Sequence, residues 1–219
     1  AALDPTVELW LHELKGSGDL DPLERISHRF ASGIDDASIK DAADSLRMLR
    51  KEVERRTEAL KKLPRELCPD KRVTREIADR RHLGLYPILA VIDECQNLFA
   101  HPTHGGQAAD DATFIIKIGR AFGVVLVLAT QRPDKDSLPT GISGNVSIRF
   151  CLRVAGQVET DMIMGTSSYK NGVRPNLFRP EVDAGTGYLG GVRTDPFVTR
   201  VAYLDGPATE RVALRAHAL

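Results

Sequence analysis

Two uninterrupted apolar runs near the middle of the chain constrain its fold more than any other feature. The first, Pro87-Ile88-Leu89-Ala90-Val91-Ile92, ends in Asp93-Glu94. The second, Val124-Val125-Leu126-Val127-Leu128, ends in Ala129-Thr130-Gln131. Their length and β-branched content predict strands buried on both faces, as in a parallel sheet covered by helices. In such sheets the chemistry sits on loops at the carboxyl ends of the strands. An acidic pair closing one strand and an amide closing another is the layout of a nucleoside triphosphatase. Asp93 would hold Mg²⁺ through its water shell, and Glu94 would polarise the attacking water. The plainer readings are a helix N-terminal cap for Asp93-Glu94 and a buried turn amide for Gln131.

The surrounding pattern fits the same class. Residues 7–14 read as a strand, closed by the turn Lys15-Gly16-Ser17-Gly18-Asp19. Ile39, Ala42, Ala43, Leu46, Leu49 and Val53 recur at helical spacing within 35–62, and the Leu63-Pro64 pair ends that helix. Residues 64–82 are rich in Arg and Lys and predict a solvated polar connector. A helix over 108–122, with Phe114, Ile115, Ile118 and Phe122 on one face, should end at Gly123 and feed the second apolar strand. Residues 146–154 alternate apolar and polar side chains and predict a third strand. A short helix over 157–164, closing strands at 188–189 and 197–204, and a terminal helix over 207–219 complete the series. Alternating strands and helices predict one α/β domain over 1–219, a mainly parallel sheet flanked by helices.

Composition narrows the function. The 30 basic and 30 acidic residues cancel, which argues against nucleic-acid binding by bulk electrostatics but leaves room for a grip through a few loops. Cys68, Cys95 and Cys151 form no C-x-x-C pair, so neither a zinc site nor a disulfide framework is indicated, and a reducing setting is favoured. No apolar stretch approaches the ~18 residues of a membrane span.

One expected part is missing. No G-x-x-x-x-G-K-S/T phosphate loop occurs, and Lys15-Gly16-Ser17-Gly18 has no Lys-Ser or Lys-Thr after it. The chain by itself should therefore bind ATP poorly. His101 and His104 stand three apart near an acidic pair, which hints at metal; a polar loop is the plainer reading. No Ser-His-Asp or Cys-His pattern points to a nucleophile. The Arg-rich span 71–81 reads as a DNA patch, a subunit contact or simply a solvated surface.

The chain resembles the motor domain of the FtsK/SpoIIIE family of DNA translocases, in particular the branch found in actinobacterial conjugative plasmids and integrative elements. The residues carrying the likeness are Glu13-Leu14-Lys15-Gly16-Ser17-Gly18-Asp19, Val91-Ile92-Asp93-Glu94 and Leu126-Val127-Leu128-Ala129-Thr130-Gln131-Arg132-Pro133. The stretch from Asn145 through Gly172 extends it. Such a resemblance implies a RecA-like P-loop fold, a hexameric ring around double-stranded DNA, and ATP with Mg²⁺ bound between subunits. In that family the phosphate loop precedes the strand that here begins near Val7, so the resemblance implies a chain truncated at its N-terminus. It also implies a cytoplasmic domain of a membrane-associated protein.

Residue by residue, the resemblance makes Asp93 the Mg²⁺ holder, Glu94 the water-orienting group, and Thr130 with Gln131 the contacts to the nucleotide. Arg120, in Gly119-Arg120-Ala121-Phe122-Gly123, matches the arginine that completes a neighbouring subunit's site. Its plainer reading is a cation at a helix C-terminus. The candidate DNA contacts are Arg132, Arg149 and Arg153. Where chromosome-segregating relatives carry basic residues this chain has Gln157 and Asp161, which weakens the expected hold on phosphate. A related reading is the coupling ATPase of type VII protein secretion, and a third is a ring subunit that has no phosphate loop at all.

Overall fold

A computed structural model describes residues 1–131 and 137–219. Of the candidate residues, Arg132 lies outside that set. The chain divides into two units, residues 1–131 with 205–219, and residues 132–204.

In the first unit β1 (Glu8–Glu13), β2 (Arg29–Ser32), β3 (Ile88–Asp93) and β4 (Val124–Leu128) form an all-parallel sheet in the order β2-β1-β3-β4. The register pairs Glu13 with Asp93 and Ile92 with Leu128, so β1, β3 and β4 end on one edge of the sheet. β1 is buried continuously from Leu9 to Glu13, as a central strand covered on both faces requires. β4 departs from that expectation. It lies at the sheet's edge, and its alternate residues Val125 and Val127 stay 45% and 42% exposed. β2 has no apolar run and escapes prediction from sequence; it is a short edge strand held by its pairing to β1.

Helix α1 (Asp36–Lys62) begins where the Asp35 carboxylate accepts hydrogen bonds from the Ala37 and Ser38 amides. A cap of this kind is worth ~1 kcal/mol. Its buried stripe is Ile39, Ala42, Leu46, Leu49, Val53 and Leu60, and it packs against the later helix α4 (Gly105–Ile118). The stripe also contains Arg56, 1% exposed, whose guanidinium donates to Glu52 and to the Phe122 carbonyl.

The solvated connector over 64–82 needs correction. Its Arg and Lys side chains are exposed, but Cys68 and Ile77 are fully buried with Leu60 and Leu85 in a small core. The short helix α2 (Arg75–Ala78), capped by Thr74, delivers Ile77 to that core. Two apolar side chains spaced nine apart give no periodic signal, which is why the packing is invisible in the sequence. Helices α3 (Gln96–Phe99) and α7 (Gly206–His217) complete the unit; α7 is capped by Asp205.

The second unit contains α5 (Thr140–Ser143), α6 (Gln157–Met164) and an antiparallel sheet. Its strands are β5 (Arg149–Cys151), β6 (Thr186–Gly190) and β7 (Phe197–Arg200), in that order. The strand expected over 146–154 is thus three residues long and is no part of the parallel sheet. Its polar–apolar alternation belongs to an antiparallel strand with one open face rather than to a doubly covered one. Among the described residues no helix is long and apolar enough to cross a membrane.

Candidate active site

The site is built where β1, β3 and β4 end. Asp93 is the last residue of β3, and its side chain is 25% exposed. The next residue, Glu94, adopts φ 53°, a left-handed conformation that costs a non-glycine residue about 1–3 kcal/mol and recurs at functional sites. The turn is locked on both sides. The Cys95 amide donates to the Ala129 carbonyl at 3.0 Å, and the Leu14 amide donates to the Asp93 carbonyl at 3.1 Å. The Asn97 side-chain amide donates to the Leu14 carbonyl at 2.7 Å, so the three strand ends are tied to one another.

This backbone path carries Glu94 inward, to 6% exposure, where two amides meet its carboxylate. Gln131 Nε2 donates to Oε1 and Gln96 Nε2 donates to Oε2, each at 2.5 Å. Thr130 Oγ1 donates in turn to Gln96 Oε1 at 2.6 Å. Thus Glu94, Thr130 and Gln131, singled out from the sequence, do come together. Gln96 joins them unforeseen; its only sequence signal is a polar amide two residues beyond the acidic pair.

Asp93 has a cationic neighbour. Lys15 Nζ lies 3.3 Å from Asp93 Oδ2 and 2.8 Å from Asp19 Oδ2. The Asp19 hydrogen bond raises the Lys15 pKa above its ordinary value; burial opposes this, and Asp93 adds to it. Lys15 is therefore a charged partner that a divalent ion at Asp93 would have to share or displace.

The loop after β1 is no phosphate cradle. The fully buried Glu13 carboxylate accepts the amides of Ser17, Gly18 and Leu20 together with the Ser17 hydroxyl, at 2.6–3.1 Å. The N–H groups that could face an anion are already used. Burial pushes the Glu13 pKa up, but these donors outweigh it and leave the group below its ordinary value. Cys95 has its thiol pushed up to about 12, mainly by burial, so it is no nucleophile.

Arg120 stands at the other end of β4. It lies in the 3-10 turn Gly119–Phe122 that precedes the strand, and its side chain is exposed. The five residues of β4 span about 16 Å, so Arg120 and Gln131 are separated by at least a strand's length. The turn is firmly held. Arg56 donates to the Phe122 carbonyl at 2.9 Å, the Val73 amide donates to the Ala121 carbonyl at 2.9 Å, and Gly123 closes the turn at φ 74°. Among the described residues the Arg120 guanidinium has no hydrogen-bond or ion-pair partner.

The candidate DNA contacts fare unevenly. Arg149 donates to the carbonyls of Val146, Ile163 and Ser143, so its guanidinium is a cross-tie within the second unit rather than a free cation. Arg153 lies beyond the end of β5, outside the strand expected to carry it within 146–154. It is exposed, with Nε donating to the Phe178 carbonyl.

A Ser–His–Asp set does assemble, although the sequence gives no sign of one. His12 Nε2 lies 3.1 Å from Asp41 and 3.0 Å from Ser45. Both contacts use the same ring nitrogen, and Nδ1 is buried without a partner among the described residues. A proton relay needs both nitrogens, so the cluster is structural.

No family model matches the chain. A DNA translocase FtsK of Chlorobaculum tepidum is 28% identical over 126 residues, 58% of this chain and 15% of that protein. The ESX secretion system protein EccC of Thermomonospora curvata is 30% identical over 130 residues, 59% of this chain and 9% of that protein. The chain thus spans only a small part of the length of the curated relatives it matches. Among solved structures, the pCW3 conjugation coupling protein TcpA, in a monomer form with ATPγS, superposes with a TM-score of 0.73 at 18% identity. That match covers 94% of this chain and 56% of TcpA. The fold is accordingly the one shared with that coupling protein.

Proposed function

We propose that this chain, an FtsK/SpoIIIE-type motor domain, is the catalytic half of an ATP-driven double-stranded DNA translocase that serves conjugal plasmid transfer. The observation that carries the reading is the Glu94–Gln131 couple, a buried carboxylate gripped by an amide beside Asp93, where three parallel strands end. Likeness to a DNA translocase supports DNA as the substrate, and the fold shared with a conjugation coupling protein supports the conjugal role.

The residues present fit one side of a nucleotide site. Asp93 suits a hydrated Mg²⁺, while the phosphate loop belongs, in this proposal, to a segment preceding Ala1. Bound Mg–ATP supplies the phosphoryl group to be transferred. Asp93 would hold the ion, and Lys15 compensates the carboxylate in its absence. Glu94 accepts a hydrogen bond from the attacking water and orients it. The carboxylate has lone pairs left for that bond beside its two amide contacts, and release of Gln131 would free its amide to donate to the phosphate. The amide thereby reports the state of the site to the residues that follow it in sequence, among which Arg132 is the proposed DNA contact. Arg120 stabilises charge in the site of the next subunit of a hexameric ring. The assembly works on the cytoplasmic side of a membrane.

Double-stranded DNA should stimulate phosphate release by the full-length protein, and Glu94→Gln should lower the stimulated rate by about 10²–10⁴. The likeness to EccC favours a second reading, a type VII secretion ATPase. Stimulation by a secreted polypeptide but not by DNA would select that reading instead.

A further inference from the structure

We propose that Asp36, His101 and His104 form a binding site for one transition-metal dication of the zinc class. The histidines flank Pro102-Thr103 in the loop between α3 and α4, and Asp36 is the first residue of α1. Folding brings the three side chains together so that one ligand atom from each lies within 4.8 Å of the others. His101 Nε2 and His104 Nε2 lie 3.4 and 3.6 Å from the same Asp36 oxygen. That is long for a charge-assisted hydrogen bond, which sits at about 2.7–2.9 Å. It is close to the ligand–ligand edge of a tetrahedral site, about 3.3 Å for bonds of ~2.0–2.1 Å.

The loop is set before any ion arrives. The imidazole rings stack with centroids 4.9 Å apart at 15°, and the Gly105 amide closes the turn onto the His101 carbonyl at 2.9 Å. Gly105 permits this, because a Cβ there would stand 2.2 Å from the Phe99 carbonyl oxygen. The histidine side chains are 18% and 20% exposed and the Asp36 side chain 73%, so the cluster is open to solvent on the carboxylate side. Asp35, capping α1 next door, gives a second negative charge to offset the dication.

Two imidazoles and a carboxylate suit Zn²⁺ or Co²⁺ and leave a fourth position for water; Mg²⁺ prefers oxygen ligands throughout. Ligation through Nε2 moves the His101 proton to Nδ1. That gives up two long contacts, each 3.4 Å, from the Thr103 and His104 amides, so the affinity should be moderate. A bound ion would cross-link α1 to the segment that follows α3, the helix that begins at Gln96.

Metal-free, untagged protein titrated with Co²⁺ should develop the visible absorption of a low-coordinate site at one equivalent, and Zn²⁺ should quench it. His104→Ala and, separately, the surface change Asp36→Asn should each weaken binding about tenfold or more. Asp35 still caps the helix in Asp36→Asn, so that variant keeps the test valid if a histidine variant misfolds. An excess of Mg²⁺ should not compete. Absence of one-equivalent binding, or binding unchanged in both variants, overturns the site.

Discussion

At the carboxyl end of β4, Thr130, Gln96, Glu94 and Gln131 form a continuous chain of hydrogen bonds, with Asp93 held alongside by Lys15. At its amino end, the turn that carries Arg120 is equally well anchored, by Arg56 and Val73, yet presents an exposed guanidinium with no partner among the described residues. One end is set for work within its own chain. The other holds a cation outward, about a strand's length from any group it could help in cis. A fixed loop bearing an unused cation suits a group meant for a neighbouring molecule, and that is the reason for assigning Arg120 to the next subunit.

If that contrast is right, Arg120→Ala in the full-length protein should have the largest effect on turnover. A loss of about 10³–10⁵ is expected, with the stability of the isolated chain unchanged in urea. A comparable loss of stability would instead make Arg120 part of the fold. Glu94→Gln should lower DNA-stimulated phosphate release by about 10²–10⁴ while leaving nucleotide affinity within a few-fold, as equilibrium binding would show. Weakened binding with near-normal turnover would return Glu94 to the role of a cap. Arg56→Ala should cost about 1–3 kcal/mol in chemical denaturation, because it removes the donor to the Phe122 carbonyl and empties the buried site that Arg56 fills, while Glu52 keeps its bonds from Arg55.

The smallest effect expected is one of pH. The folded pKa of Glu13 lies below its ordinary value, so its contribution is complete above the unfolded pKa of 4.5 and is lost as the pH falls through the folded value. The protection factors of the Ser17, Gly18 and Leu20 amides, taken relative to intrinsic exchange at each pH, should therefore fall on acidification, and should not depend on pH in this way in Glu13→Gln. An equal fall in both would detach the loop from this carboxylate.

The contrast also explains how much was legible in the sequence. β3, β4, α1 and α4 are long periodic or apolar segments legible from hydrophobic pattern, and Asp35 marks the start of α1; the helix expected over 108–122 instead spans Gly105–Ile118, and Gly123 closes the 3-10 turn after it. Asp93, Glu94 and Gln131 are legible because strand ends concentrate chemistry. Gln96 is not, since one amide at a helix start has no pattern. The burial of Cys68 and Ile77, the commitment of Arg149 to three carbonyls, and the meeting of Asp36 with His101 and His104 depend on contacts distant in sequence, which periodicity does not encode. The open face of β4 is hidden for a further reason: an apolar run reports hydrophobicity on both faces whether or not both are covered.

The assignment of Arg120 across an interface is most directly tested by mixing two inactive full-length proteins, Arg120→Ala and Glu94→Gln, and measuring DNA-stimulated ATP hydrolysis. If Arg120 acts in trans, mixed rings contain interfaces that draw an intact Glu94 from one subunit and an intact Arg120 from the next, and activity returns. If it acts in cis, every site carries one lesion. No recovery, with mixed assembly verified by cross-linking, would contradict the trans role.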